Sequence, residues 1–203
     1  DQQVKYAKNL PMIQTIGLNI NIDITQYDAL IFTSKNGVKH CDALFQNEWK
    51  TIPSYAISKD TAKQIKELKG KLAFSGKEKH GDEFAYEIIE HLKGKKVAYM
   101  GAQSIVSNFI DILHNNNIEC DHIPIYQTVC RDYGKMIKLP LRSIIIFSSP
   151  STIECFFKNA EWDQSFTAIS IGRTTAKYFP DFVNPIIAYT PSLKSCVCKA
   201  LSL

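Results

Sequence analysis

A strand–turn–helix pattern occurs twice in this 203-residue chain, in the same order and at nearly the same spacing. The first copy starts in Asp28-Ala29-Leu30-Ile31-Phe32-Thr33-Ser34-Lys35-Asn36-Gly37. The second starts in Ser143-Ile144-Ile145-Ile146-Phe147-Ser148-Ser149-Pro150-Ser151-Thr152-Ile153. Phe32-Thr33-Ser34 aligns with Phe147-Ser148-Ser149, and Val38 with Ile153. Each copy has a downstream echo, Ala56-Ile57-Ser58-Lys59-Asp60-Thr61-Ala62-Lys63 against Ser170-Ile171-Gly172-Arg173-Thr174-Thr175-Ala176-Lys177. Phe32 and Thr61 are 29 positions apart, Phe147 and Thr175 28. Two echoes in register point to an internal duplication, and so to two similar α/β lobes.

Each copy opens with a continuous apolar run, which fits a strand covered on both faces in a parallel sheet. The run stops in small hydroxyl residues, and apolar residues then recur at helical spacing, as in Val38, Cys41 and Leu44. Such a turn leaves backbone N–H groups and hydroxyls at the carboxyl edge of a sheet, where open α/β sheets hold anions. For any one turn the alternative is a loop that merely caps its helix. Asn36-Gly37 also matches a hairpin signal, but the helical spacing after it argues for a helix start.

Composition narrows the function classes. The hydrophobic share of 45% and charged share of 22% are those of an ordinary globular chain. A net charge of +4 without a Lys/Arg block argues against a nucleic-acid arm and suits an acidic small molecule. No apolar run approaches the ~20 residues of a membrane span. The six cysteines (Cys41, Cys120, Cys130, Cys155, Cys196 and Cys198) show no Cys-x-x-Cys pair and no disulfide-like framework. Cys196-x-Cys198 lacks a nearby His, so the chain reads as reduced and cytoplasmic, without a metal site. The histidines (His40, His80, His91, His114, His122) scatter over separate segments, which argues against a metal or base role. Neither a phosphate-binding Gly-x-x-x-x-Gly-Lys-Ser/Thr loop nor Gly-x-Gly-x-x-Gly is present, which disfavours a nucleotide enzyme. The chain opens in a polar segment without an initiator Met, so a few N-terminal residues are expected to be missing.

The alternation Ile16, Leu18, Ile20, Ile22, Ile24 predicts a strand with one wet face. Further strands are expected at 29–33, 54–57, 72–74, 97–100, 118–129, 143–148, 167–171 and 186–189. Helices are expected at about 35–46, 60–69, 80–92, 151–159 and 173–179, and after Pro191-Ser192. Another should follow the turn Gly101-Ala102-Gln103-Ser104, packing Ile105, Val106, Phe109, Ile110 and Leu113. The fold class is α/β: two similar lobes with parallel sheets flanked by helices, joined by a two-stranded β ladder. Lobe 1 takes residues 1–22 and 133–203, and lobe 2 residues 23–132. Segments 16–24 and 120–130 would cross as a hinge beside a cleft.

Five motifs occur together: Ala-Leu-Ile-Phe-Thr-Ser (29–34), Tyr-Ala-Ile-Ser-x-x-Thr-Ala (55–62), Ile-Tyr-Gln-Thr-Val (125–129), Ile-Phe-Ser-Ser-Pro-Ser (146–151) and Ile-Gly-Arg-Thr-Thr-Ala (171–176). As an ordered set they resemble the uroporphyrinogen-III synthase family, over nearly the whole chain beyond residue 12. The resemblance implies two α/β lobes and a lyase that cyclises hydroxymethylbilane to uroporphyrinogen III, inverting ring D and losing water. It implies no metal or organic cofactor. The substrate is a small linear tetrapyrrole bearing eight carboxylates; a monomer without nucleic-acid or membrane partners is expected. Many members carry Arg-Gly-Asn where this chain has Met100-Gly101-Ala102, which weakens the case for a side-chain anion contact there.

On that resemblance Tyr126 is the candidate acid for the departing hydroxyl, since a phenol is protonated at neutral pH. A hinge tyrosine that only packs is the alternative. Substrate carboxylates would fall to Thr33, Ser34, Thr61, Ser149, Thr174 and Thr175. The turn residues Asn36, Gly101, Ala102, Gln103, Ser148, Ser151 and Gly172 would complete the binding set. Helix capping is the competing role for each hydroxyl, and solvated surface charge that for Lys35, Lys59 and Arg173. A second function class remains open: a non-catalytic two-lobed module that closes over an acidic metabolite.

Overall fold

The computed structural model describes residues 7–77, 80–105 and 107–203. The helix position expected at Val106 and the first residues of the polar N-terminal segment lie outside the described residues. In chain order the elements are β1 (Ile13–Gly17), β2 (Ala29–Phe32), α1 (Lys35–Phe45), β3 (Ser54–Ala56), α2 (Lys59–Glu67), β4 (Leu72–Ser75), α3 (Gly81–Leu92), β5 (Lys96–Ala102), α4 (Phe109–Asn115) and β6 (Glu119–Cys130). They continue with β7 (Ile144–Phe147), α5 (Pro150–Asn159), β8 (Thr167–Ser170), α6 (Arg173–Ala176), β9 (Ile186–Ile187) and α7 (Leu193–Leu201). The chain divides into two compact units, Thr15–Thr128 and the remainder on either side of it.

In the larger unit the strand order is β1-β6-β5-β2-β3-β4, with β6 through β4 pairing in parallel. The edge strand β1 runs antiparallel to β6. All four residues of β2 are buried, and their alternation divides the core. Leu30 and Phe32 pack with Ala98, Met100 and the inner faces of α1 and α2, including Val38, Cys41 and Ile65. Ala29 and Ile31 pack on the other face with Tyr99, Phe84, Ile88 and Phe109 of α3 and α4. Helices on both faces are why the strand reads as an unbroken apolar run. The smaller unit repeats this in miniature around a parallel sheet ordered β7-β8-β9. Phe147 and Ala168 face Ile153 and Phe156 of α5, while Ile169 faces Cys196 of α7.

The two copies correspond in strand register as well as in sequence. Phe32 pairs with Ala56, and Phe147 with Ser170. The amide of Ile57 donates to the Phe32 carbonyl, and that of Ile171 to the Phe147 carbonyl, each at 3.0 Å. Ser34 and Ser149 stand at equivalent N-cap positions, as do Ser58 and Gly172.

Four sequence expectations need correction. Strand pairing covers Ile13–Gly17, not residues 16–24. The last ladder contact is the Leu18 amide donating to the Ile125 carbonyl at 2.9 Å. Beyond it Ile20 and Ile22 still turn toward the core and Ile24 is fully buried. Alternation reports which side faces the core, not whether a strand partner exists. The helix expected after Gly101 starts at Phe109, because β5 runs on to Ala102, paired with Tyr126. Its start is fixed from a distance: the Asp82 carboxylate accepts from the Asn108 amide at 3.0 Å. α6 is a single turn, not residues 173–179. Finally, Cys130 and Cys155 are disulfide-bonded, against the reading of six free cysteines. Their spacing follows no motif; what joins them is the packing of α5 against the chain leaving β6, where the Asn159 side chain donates to the Arg131 carbonyl at 2.9 Å. Cys41, Cys120 and Cys196 are free and buried, as small hydrophobes would be.

Two of these contacts can be tested through stability. A Cβ at Gly37 would lie 2.7 Å from the Met100 carbonyl oxygen, so Gly37→Ala forces α1 off β5. Urea denaturation should register a loss of about 1–3 kcal/mol. The disulfide closes a separation of 25 residues; reducing it should cost the smaller unit about 3 kcal/mol, seen as a downward shift of its melting transition under dithiothreitol and absent in Cys130→Ala/Cys155→Ala.

Candidate active site

The parallel strands follow one another in sequence as β2, β3, β4, β5, β6, yet β5 pairs with β2. The chain therefore builds outward from β2 in one direction and from β5 in the other. At such a reversal an open α/β sheet leaves a crevice beyond the carboxyl ends of its strands. Thr33 and Ser34 leave the end of β2 there, Ala102 and Gln103 the end of β5, and Tyr126 lies alongside on β6.

Ser34 is the hub of this edge. As the N-cap of α1 its Oγ accepts from the Gly37 amide at 3.1 Å. The same Oγ lies 3.0 Å from the phenol oxygen of Tyr126. The Gln103 amide donates to the Tyr126 carbonyl at 2.8 Å, which ties the end of β5 to the same residue. Tyr126 is 8% exposed, so its ring is packed, and its oxygen meets the N-cap hydroxyl of α1. Thr33, Ser34, Ala102, Gln103 and Tyr126, read from the sequence as candidates on separate turns and a hinge strand, thus lie along one sheet edge. Gly101 is buried because the Tyr99 ring lies where its Cβ would be, at 2.7 Å. Met100 is fully buried, so that position presents no side chain to the rim.

Three residues of this edge escaped sequence reasoning. Tyr99, on β5, places its hydroxyl 2.8 Å from Thr33 Oγ1. Burial pushes its phenol above the usual range, with the Thr33 bond acting the other way. His122 stacks on Tyr99, centroids 5.4 Å apart and planes 25° from parallel, with Nε2 2.9 Å from the Ala102 carbonyl. His40 stacks on Tyr126 at 5.1 Å and 14°, with Nε2 2.9 Å from Thr15 Oγ1. Burial pulls both imidazoles below the usual histidine range; for His122 the Ala102 bond opposes this. The signal available for Tyr99 was its parity: it shares a strand face with Gly101, two residues on. Nothing in the sequence marks His40 or His122, whose partners lie 25 and 20 residues away at the nearest.

The remaining candidates divide by exposure. Asn36 is exposed in the first turn of α1. Thr61 is 2% exposed on α2, its hydroxyl 3.2 Å from that of the N-cap Ser58. In the smaller unit Ser148 and Thr174 are exposed, Ser151 and Gly172 half-buried, and Thr175 is 5% exposed. The Ser149 amide donates to Thr152 Oγ1 at 3.2 Å, and Ser149 Oγ is 3.1 Å from Ser151 Oγ. A surface groove of about 540 Å³ beside Ser151 is lined by Pro150, Phe157, Tyr178 and Pro180, an apolar hollow unlike the hydroxyl edge. Among the described residues no group of three or more His, Cys, Asp or Glu side chains converges on a metal position, and no helix is long and apolar enough to cross a membrane.

Fold and edge together define a class: paired α/β units, the larger doubly wound with a phenol, hydroxyls and a helix N-terminus at its switch point. The model of the uroporphyrinogen-III synthase HemD family matches residues 7–198, and the chain belongs to that family. It is 32% identical to the uroporphyrinogen-III synthetase of Helicobacter pylori, whose crystal structure matches with a TM-score of 0.78 over 95% of this chain and 91% of that one. A mutant uroporphyrinogen III synthase from the extremely thermophilic bacterium Thermus thermophilus, 14% identical, shares the fold with a TM-score of 0.50 over 94% and 86% of the two chains. The chain is 26% identical over 196 residues to a porphyrin biosynthesis protein HemD of Ruminiclostridium josui, a match over 89% of this chain and 39% of that protein. It thus spans about two fifths of the length of that curated relative.

Because folding lowers the proton affinity of His40 and His122, the unfolded chain binds more protons below about pH 6.5. Stability from these two groups is fully present above that pH and is lost as pH falls toward their folded-state values. Melting temperatures recorded from pH 7.5 down to pH 5 should fall, and His40→Phe or His122→Gln should flatten the decline.

Proposed function

We propose that this protein cyclises hydroxymethylbilane to uroporphyrinogen III, as a cofactor-independent lyase acting in porphyrin biosynthesis. The observation that carries the reading is the Ser34–Tyr126 pair, a phenol oxygen held 3.0 Å from a capping hydroxyl at the switch point of the sheet. Family membership supplies the reaction class. A cytoplasmic, monomeric protein belongs to the same reading.

The chemistry starts with loss of the substrate's hydroxyl. Ser34 Oγ already accepts from the Gly37 amide, so its own proton is free to donate to the Tyr126 oxygen. That arrangement turns the phenol proton outward and stabilises negative charge on the oxygen as the proton leaves. Tyr126 donates that proton as the C–O bond breaks, releasing water and leaving an electrophilic azafulvenium cation beside the phenolate. The substituted carbon of ring D bonds to the electrophilic methylene, giving a spiro intermediate. Its older bond to the methylene of ring C then breaks, that methylene rejoins ring D at the free carbon, and the proton lost from that carbon on rearomatisation restores the phenol. Net loss is one water. Unassisted closure takes the free carbon and gives the symmetric isomer, so the protein's main contribution is to hold one conformer.

Carboxylates are assigned to the exposed and rim positions: Thr33, Asn36 and Gln103 with the adjoining amides, and Ser148, Ser149, Ser151, Gly172 and Thr174 at the matching edge of the smaller unit. Thr61 and Thr175 are assigned to holding the shape of their turns, which their burial favours. A non-catalytic sensor has no observation in its favour.

Tyr126→Phe should retain the fold by circular dichroism and lower turnover of hydroxymethylbilane by ~10²–10⁴-fold. Ser34→Ala, which removes the donor to the Tyr126 oxygen, should lower kcat, whereas Thr33→Ala should raise KM more than it lowers kcat. Formation of nothing beyond the spontaneous isomer I by the unaltered protein would defeat the assignment.

A further inference from the structure

We propose that His40 is a positioning residue, its imidazole face holding the Tyr126 ring so that the phenol points at the departing hydroxyl. The inference rests on Tyr126 being the acid and specifies what aims it. His40 lies on α1, Tyr126 on β6 and Thr15 on β1, so three separate elements meet at one ring. The imidazole and phenol planes are 14° from parallel with centroids 5.1 Å apart, an arrangement that resists tilting of the phenol toward α1. The other side of the imidazole is fixed in turn: Nε2 lies 2.9 Å from Thr15 Oγ1. Gly17 leaves the space the ring occupies, since a Cβ there would come within 3.3 Å of Nδ1.

The Tyr126 oxygen has a hydrogen-bond partner in Ser34, but one contact at the end of a ring leaves the ring free to tilt. The stack removes that freedom. A proton donor helps only when held within hydrogen-bonding reach of its acceptor, and a displacement near 1 Å costs about 10²-fold in rate. Burial favours the neutral imidazole, which packs against the phenol without adding a charge beside it. Tyr99 and His122 repeat the pair, but there the histidine bonds the carbonyl of Ala102 and the phenol is turned to Thr33.

The test is a double-mutant cycle between His40 and Tyr126, read by steady-state turnover of hydroxymethylbilane and by the isomer III to isomer I ratio. His40→Ala should lower kcat about 10-fold or more with KM within about twofold of the starting value. His40→Phe, which keeps a stacking ring, should recover most of that loss. Thr15→Val, which frees the imidazole, should fall between the two. In a Tyr126→Phe background His40→Ala should have no further effect. Folding of each variant is checked by melting temperature; if His40→Ala does not fold, Thr15→Val and His40→Phe decide the matter with the same readouts. Equal loss from His40→Ala in both backgrounds would mean that it merely holds α1, and would overturn the proposal. So would a kcat within about twofold of the starting value for His40→Ala while Tyr126→Phe is crippled. Near-normal turnover in Tyr126→Phe itself would instead remove the acid assignment, and the positioning role with it.

Discussion

Burial of β2 on both faces is the constraint from which the larger unit follows. A strand whose four residues are all buried must have a paired neighbour on each side and a helical layer above and below. Those requirements place β5 and β3 beside it and seat α1 against the Met100 carbonyl through Gly37. With the neighbours fixed, the order of strands reverses at β2, and the meeting of the β2, β5 and β6 ends beside that reversal is a consequence rather than an addition. Thr33 and Ser34 lie one and two positions past the buried segment because that is where the apolar run can stop.

The edge so formed is made of paired rings. Tyr126 with His40 and Tyr99 with His122 each set an imidazole on a phenol, and each phenol meets a hydroxyl from the end of β2. The pairs differ in the face of the sheet they occupy and in what the histidine holds. Burial raises the Tyr99 phenol and confines it to the α3 and α4 side of the sheet, under Gly101. Tyr126 sits on the α1 and α2 side, where the N-cap of α1 reaches its oxygen. One pair therefore bonds to the end of β2 from one face of the sheet, and the other from the opposite face.

Much of this was legible in residue order. The duplication forecast two parallel-sheet units, and the equivalence of Phe32 with Phe147 and Ala56 with Ser170 appears as identical strand register. Ser34 could be recognised because a helix start has a local signature, a short hydroxyl residue before the first apolar periodicity. The delayed start of α4 could not, because the group that satisfies the Asn108 amide is Asp82 on another helix. The length of the first strand was overestimated for a related reason. The same alternation arises in an extended segment that merely lies on the core, as Ile20 and Ile22 do. Cys130 and Cys155 likewise look like any two of six cysteines until α5 packs beside the end of β6.

By itself the sequence determined the layered α/β units, their repetition, the hydroxyl-rich strand ends and the candidacy of Tyr126. All of these are written in spacing, composition and motif over a few residues. Tertiary structure alone decided which hydroxyl meets which phenol, that His40 and His122 stack on the tyrosines, and that Thr61 and Thr175 turn inward. Those outcomes depend on contacts between elements distant in sequence, where side-chain direction is set by packing rather than by any neighbour along the chain.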